Sequence, residues 1–140
     1  MLDYWRFGSI GAALSGAVGV QGHYANGLAA LYLATGQDVA CVAESALGIT
    51  RFEPAEHGDL YACVTLPSVV VGTVGGGTML PAQRAALERL FSERPPSACA
   101  LAEVAAALCL AGELSLCVAI CANDFAAAHA RYARRPVVCS

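Results

Sequence analysis

The chain has 140 residues, of which 57% are hydrophobic and 14% charged, and its net charge is -3 at pH 7. This length supports one domain with a single core. The slightly acidic balance, without a basic patch, argues against a nucleic-acid partner. So few charges on so small a domain would leave apolar surface exposed, which is typical of a protein–protein interface. We therefore expect a homodimer or a companion polypeptide.

The first part of the chain predicts a glycine-rich segment followed by a helix. Residues 7–22 contain five glycines, and their spacing permits a backbone to approach another helix or a ligand closely. Residues 23–35 place Leu28 and Tyr32 on one face, which predicts a helix that ends at Gly36.

Two apolar segments around a polar turn, at residues 45–53 and 59–71, predict an antiparallel hairpin. Pro67 indicates an edge strand or a bulge, because proline cannot donate to a ladder. Residues 72–78, with the sequence GTVGGGT, follow a strand and precede a helix. Backbone amides can cradle an anion in that context, although a tight turn with close helix packing explains the glycines equally well.

The last part of the chain predicts two helices. Pro81 suits the first turn of a helix that runs to about Phe91, and Ser97 is placed to cap the next helix. The second helix is expected to kink near Gly112 and to continue to about Arg134. Its apolar face would repeat Leu101, Val104 and Leu108, and then Leu114, Val118 and Cys121.

These elements together predict an α+β fold in one domain, residues 1–140, with helices packed on a small antiparallel sheet. No uncharged apolar stretch reaches the length of a membrane-spanning helix, so no membrane contact is expected. Seven cysteines occur mostly in apolar runs and without a CxxC pair, which indicates small buried side chains in a reducing, cytoplasmic environment. Cys117 and Cys121 lie one helical turn apart without a nearby histidine pair, so no metal site is expected.

Three histidines and one carboxylate are the candidate acid/base groups. His57 lies in a polar turn and is expected to be solvated, whereas His23 opens a helix and His129 lies near the end of another. Asp38 follows a helix end, where a carboxylate opposes the helix dipole, and such local conflicts are common at functional sites. A lone helical histidine is more often structural, but these residues suggest an acid/base group of Asp38, His23 and His129. All eight basic residues are arginine, so no lysine can act as a Schiff base or an acid.

Four segments resemble the 3-hydroxy-3-methylglutaryl-CoA (HMG-CoA) reductase family, in the same order and at similar spacing. They are GHYANGLAALYLATGQD at 22–38, DLYACVTLPSVVVGTVGGGT at 59–78, LPAQRAAL at 80–87 and AGELSLCVAICANDFAAAH at 111–129. The resemblance covers only the C-terminal part of that family's catalytic domain. It implies a fold like the C-terminal part of the family's large domain, and a dimer whose active site forms between two subunits.

The resemblance also implies roles for individual residues. Asp38 matches the family's catalytic aspartate, and His129 matches the catalytic histidine that protonates the departing CoA thiolate. His23 and Asn26 match an HxxN pair that contacts the acyl substrate. The other matches are the acyl-pocket residues Leu116, Ala119 and Ile120, and the glycine loop of Gly72, Thr73, Gly75, Gly76, Gly77 and Thr78.

The chain also departs from the family's pattern. The catalytic glutamate, the catalytic lysine and the small cofactor-binding domain have no counterpart in these residues, and a substrate-binding lysine is replaced near Tyr4 or Arg6. We therefore expect no cofactor from this chain alone, and NAD(P)H only if a companion chain supplies the missing domain.

Three hypotheses on function follow. The chain is a fragment, or one half, of a split NAD(P)H-dependent thioester reductase of the mevalonate and isoprenoid pathway, and cannot complete the reduction alone. Alternatively, it is a cofactor-free cyclase, isomerase or lyase of bacterial secondary metabolism, acting on an acyl or polyketide-like substrate. In the third hypothesis it is a non-catalytic binding module. In the first two, the partner is an acyl or CoA-type small molecule.

Overall fold

The computed structural model describes residues 1–93 and 95–132. Within these residues the chain is α+β, with six helices and one two-stranded antiparallel sheet, which confirms the predicted fold class. The elements are α1 Leu2–Leu14, α2 Tyr24–Thr35, α3 Val42–Ser45, β1 Ile49–Pro54, β2 Leu60–Thr65, α4 Pro81–Leu90, α5 Ala98–Cys121 and α6 Phe125–Tyr132.

Helix α2 lies at the centre of the fold and ends as predicted. Its last turn closes at Gly36, whose φ of 71° is a left-handed conformation that glycine adopts without steric cost. Leu28 and Tyr32 are fully buried and belong to one core cluster with Ala105 and Cys109 of α5. A second cluster joins α4 to the start of α5, through Leu87, Phe91, Ala100 and Leu101.

The predicted hairpin is present, with shorter strands than expected. Strand β1 pairs antiparallel with β2, and Phe52 lies opposite Ala62. Ser45, predicted to begin the first strand, instead ends α3, where its hydroxyl lies 2.8 Å from the Tyr32 hydroxyl. The second strand ends at Thr65 because Pro67 follows and has no N–H to donate.

Helices α4 and α5 begin as predicted but α5 ends differently. The Ser97 side chain accepts a hydrogen bond of 3.2 Å from the Ala100 N–H and so caps α5. The predicted kink near Gly112 is wrong: α5 runs unbroken to Cys121, since one glycine costs a helix only about 1 kcal/mol. The chain then turns at Asn123, whose φ is 59°, and α6 follows as a separate helix. The predicted end at Arg134 lies outside the described residues.

The predicted apolar face of α5 is correct only at its start. Leu101 is fully buried, but Val118, predicted to face the core, is 55% exposed. The helix is apolar on nearly all sides, so hydrophobic periodicity does not distinguish its faces. The buried row is instead spaced at every fourth residue and contains Leu101, Ala105, Cys109, Glu113 and Cys117.

The glycine-rich segment before α2 makes the permitted close approach to another helix at one glycine. A Cβ at Gly22 would overlap the Leu116 side chain of α5, so close approach is confirmed at that position. Nothing in the described chain lies within 4 Å of a Cβ built at Gly8, Gly11 or Gly16. At those three positions a close approach by a ligand or by a second copy of the chain therefore stays a prediction.

Several large apolar side chains lie on the surface. Phe7, Leu14 and Val74 are 74%, 84% and 92% exposed. Helix α5 is also long and apolar enough to cross a membrane by length and composition alone, with a mean hydropathy of 2.2. Only 22% of this apolar stretch is buried, although α5 carries the row that packs on α2, so length and composition do not separate a core helix from a membrane span. Exposed apolar side chains such as Phe7, Leu14 and Val74 are typical of a protein–protein interface, and the expected partner stays a prediction.

Candidate functional site

A cavity lies between the end of α2 and the glycine loop of residues 72–78. Its volume is about 610 Å³, and Asp38 lines it together with Gln37 and Cys41. The structure therefore brings Asp38 and the glycine loop to one cavity. The lining loop residues are Gly72, Val74, Gly75, Gly76, Gly77 and Thr78; the predicted site residue Thr73 does not line it.

Two backbone segments cross closely beside this cavity. A Cβ at Gly36 would overlap the Gly77 carbonyl and lie 2.7 Å from the Thr78 nitrogen, and a Cβ at Gly77 would lie 2.6 Å from the Gly36 oxygen. Gln37 adds a hydrogen bond, its side-chain oxygen accepting the Gly72 N–H at 2.7 Å. The glycines therefore serve close packing here, and they fix the position of Asp38 relative to the loop.

Some backbone N–H groups of the glycine loop already have hydrogen-bond partners, so the loop can form only part of the anion cradle suggested by the sequence. The Gly72 N–H is used by Gln37, and the Thr78 N–H points to the Gly75 carbonyl at 3.3 Å. The buried Thr78 hydroxyl also donates to the Gly75 oxygen at 2.6 Å. These groups hold the turn in shape and are not available to an anion.

Asp38 is exposed at the mouth of the cavity. One carboxylate oxygen accepts the Ala40 N–H at 2.9 Å and caps a short 3-10 turn, Val39–Cys41. One oxygen of the carboxylate is therefore held by its own backbone, and Asp38 lines a cavity that is open to solvent. No basic side chain lines the described cavity, so it offers no cation to neutralise an oxyanion.

His23 and Asn26 lie at the other end of α2. The His23 ring occupies a slot between two glycines: a Cβ at Gly27 would lie 2.7 Å from its Nε2, and one at Gly112 would overlap the ring. Nε2 is buried and has no hydrogen-bond partner among the described residues. Asn26 is exposed, one turn into the helix. Neither residue lines the cavity that contains Asp38.

Glu113 contacts this region and was missed by the sequence analysis. It is 4% exposed, and its carboxylate accepts the His23 backbone N–H at 2.7 Å. A buried charge in an otherwise apolar helix requires compensating donors, and this was the signal that could have identified it. Burial raises the pKa of the Glu113 carboxyl, while the N–H groups of His23 and Gly22 and the His23 imidazole oppose the rise.

Glu113→Gln is expected to change how stability depends on pH. A folded-state pKa above the unfolded value means that the carboxyl stabilises the fold fully below its unfolded pKa, and that this contribution is lost as pH rises through the folded pKa. The wild type should therefore lose stability relative to Glu113→Gln as pH rises from 4 towards 7. Urea unfolding at several pH values measures this. Glu103→Gln, at an exposed position of α5, is the control; a difference independent of pH would contradict the assignment.

The predicted acyl-pocket residues lie on the second half of α5. Leu116, Ala119 and Ile120 are all half-buried. Leu116 lines a smaller cavity of about 150 Å³ with Trp5 and Glu113, separate from the cavity of Asp38.

His129 lies apart from both cavities. It is exposed on α6, its Nδ1 lies 3.0 Å from the Phe125 carbonyl oxygen, and its ring is 4.2 Å from the Phe125 ring between centroids. Within one copy of the chain, the structure thus brings together Asp38 and the glycine loop, but not His23, Asn26 or His129.

Comparison with known proteins decides the family. The sequence model that describes the hydroxymethylglutaryl-coenzyme A reductase family matches residues 1–134 of this chain. The chain belongs to this family. It is 48% identical over 125 residues to the 3-hydroxy-3-methylglutaryl-coenzyme A reductase of Pyrococcus horikoshii, covering 86% of this chain and 30% of the relative.

Other relatives give the same picture. The reductase of Methanocaldococcus jannaschii is 46% identical over 125 residues, covering 89% of this chain and 31% of the relative. That of Halobacterium salinarum is 48% identical over 130 residues, covering 89% and 32%. The chain thus spans about 30% of the length of these relatives, so the activity of a whole reductase is not carried over directly.

Proposed function

We propose that this chain is the acyl-thioester and proton-transfer part of an HMG-CoA reductase, a fragment or one half of a split enzyme. The observation that supports this most is the shared cavity of Asp38 and the glycine loop, held by the Gly36–Gly77 crossing. Both segments belong to the stretch that matches the family. In this proposal the cavity binds the acyl thioester, and Asp38 exchanges protons at the reacting carbonyl oxygen.

His129 has a second proton-transfer role in this proposal. As an imidazolium it donates a proton to the CoA sulfur as the carbon–sulfur bond breaks, which leaves a neutral imidazole and a free thiol. His129 does not line the cavity of its own chain, so we propose that a second copy brings it there. The exposed apolar surface supports such an assembly.

The reduction uses NAD(P)H in this family, and the described cavity does not fit that cofactor. None of its lining residues is basic, so nothing there complements a diphosphate, and the only described sheet is a two-stranded hairpin rather than a dinucleotide-binding fold. We propose that a companion polypeptide supplies the nicotinamide site and the missing cation. Such an enzyme can be reconstituted by mixing this chain with a related reductase from which the segment matching this chain has been removed. We call this mixture the reconstituted enzyme.

Binding of HMG-CoA tests the proposed site directly. Isothermal titration of the 140-residue chain with HMG-CoA is expected to show binding that Leu33→Trp abolishes, because Leu33 lines the cavity and the larger ring would fill it. Leu90→Trp is the matched control, since Leu90 is also exposed but lines a different cavity. Equal binding by the wild type and Leu33→Trp, or no binding by the wild type, would contradict the proposal.

A further inference from the structure

Among the described residues, Glu113 is the one charged side chain that is almost fully buried, with 4% exposure. Removing a carboxylate from water is unfavourable unless hydrogen-bond donors replace the water. Its donors come from another element, the segment that leads into α2: the N–H of His23 at 2.7 Å and the N–H of Gly22.

These donors lie at the start of a helix. The first N–H groups of a helix have no partner within it, and the helix dipole makes that end favourable for a negative charge. The His23 side chain makes no capping hydrogen bond of its own. Glu113 of α5 therefore supplies the cap of α2 across the interface between the two helices.

The same contact determines where the His23 ring lies. The slot that holds the ring is formed by Gly112, adjacent to Glu113, and by Gly27, one turn into α2. The buried Nε2 has no hydrogen-bond partner in the described chain, although buried polar atoms normally have one. The ring is thus oriented by the anchored backbone and the two glycines, not by hydrogen bonds of its own Nε2.

We propose that Glu113 is a positioning residue, which holds the start of α2 so that His23 and Asn26 are presented to the acyl substrate. The proposal rests on the proposed function. It adds the substrate contact that the family resemblance implies for those two residues; since neither lines the cavity of Asp38 in its own chain, a second copy would bring them to that cavity, as proposed for His129. In this proposal, Glu113 of α5 determines the position of His23 and Asn26 by accepting the His23 backbone N–H. The accepting oxygen need not carry a charge.

Three variants separate this role from a general effect on folding. Glu113→Ala removes the acceptor, Glu113→Gln keeps a carbonyl oxygen in its place, and Glu103→Gln removes the other carboxylate of α5. Two quantities are measured: the NMR signals of the His23 ring, assigned by comparison with His23→Gln, and the dissociation constant for HMG-CoA.

Glu113→Ala is expected to shift the His23 ring signals and to weaken HMG-CoA binding roughly tenfold, the effect of about one lost hydrogen bond. Glu113→Gln should restore both, and Glu103→Gln should alter neither. A folded Glu113→Ala protein with unchanged His23 signals would overturn the proposal.

If Glu113→Ala does not fold, Glu113→Asp decides the question. This variant keeps a carboxylate on α5, but its shorter side chain draws the acceptor oxygen away from the His23 N–H. It should also shift the His23 signals and weaken HMG-CoA binding, and unchanged values would refute the proposal. If the wild type binds no HMG-CoA, the proposed function fails, while the His23 signals still show whether Glu113 positions the ring.

Discussion

Gly36→Ala is expected to lower the free energy of unfolding by about 3 kcal/mol, from left-handed strain and overpacking together. The position has a φ of 71°, which alanine adopts unfavourably. The new Cβ would also overlap the Gly77 carbonyl and lie 2.7 Å from the Thr78 nitrogen. Both neighbours are backbone, so they cannot move aside as a flexible side chain can. The cavity beside Asp38 should be distorted as a result.

Gly58→Ala is the matched control. Gly58 has a similar φ of 85°, but nothing in the described chain lies within 4 Å of a Cβ built there. Alanine at this position should cost only the left-handed strain, about 1 kcal/mol. Urea unfolding of both variants measures the difference. Equal losses would show that the Gly36–Gly77 crossing contributes nothing to stability.

Asp38→Asn and His129→Ala are each expected to lower the turnover of the reconstituted enzyme by about 10²–10⁴-fold, the usual contribution of a positioned acid or base. Both side chains are exposed and lie at the ends of elements, so the fold should be kept. His57→Asn is the control: His57 lies in the hairpin turn with a φ of 61°, which asparagine tolerates, and activity should be retained. Steady-state rates with HMG-CoA and NADPH measure the effect. Full activity of a folded His129→Ala enzyme would show that another group protonates the departing CoA sulfur.

Mixing the two inactive variants tests where His129 acts. If Asp38 and His129 of one site come from different copies, a mixed dimer of Asp38→Asn and His129→Ala contains one intact site. Random assembly of a two-fold dimer would then restore about a quarter of the wild-type activity. If the mixture stays inactive although mixed dimers form, His129 must serve the site of its own chain.

Elements with strong local signals could be predicted from sequence. Helix α2 ends at Gly36, and Pro81 and Ser97 precede α4 and α5, because each of these residues has a specific conformational or capping preference at a helix end. The buried face of α5 could not be predicted in the same way. That helix is apolar on nearly every side, so the approach of α2 decides which residues are covered.

The candidate site was predictable only in part. The family resemblance identified Asp38 and the glycine loop, and the structure places both at one cavity. Their proximity depends on a contact between residues 36 and 77, which no local pattern reveals. Glu113 was overlooked because an isolated glutamate in a helix resembles a solvated residue until its donors, contributed by the chain at 22–23, are known.

The most direct test of the central claim is HMG-CoA-dependent oxidation of NADPH by three samples. They are this chain alone, the Pyrococcus horikoshii reductase without the segment that this chain matches, and the two combined. The account predicts no turnover by either polypeptide alone and measurable turnover by the combination. Turnover by the homogeneous 140-residue chain alone, or an inactive mixture in which the two polypeptides bind each other, would contradict it.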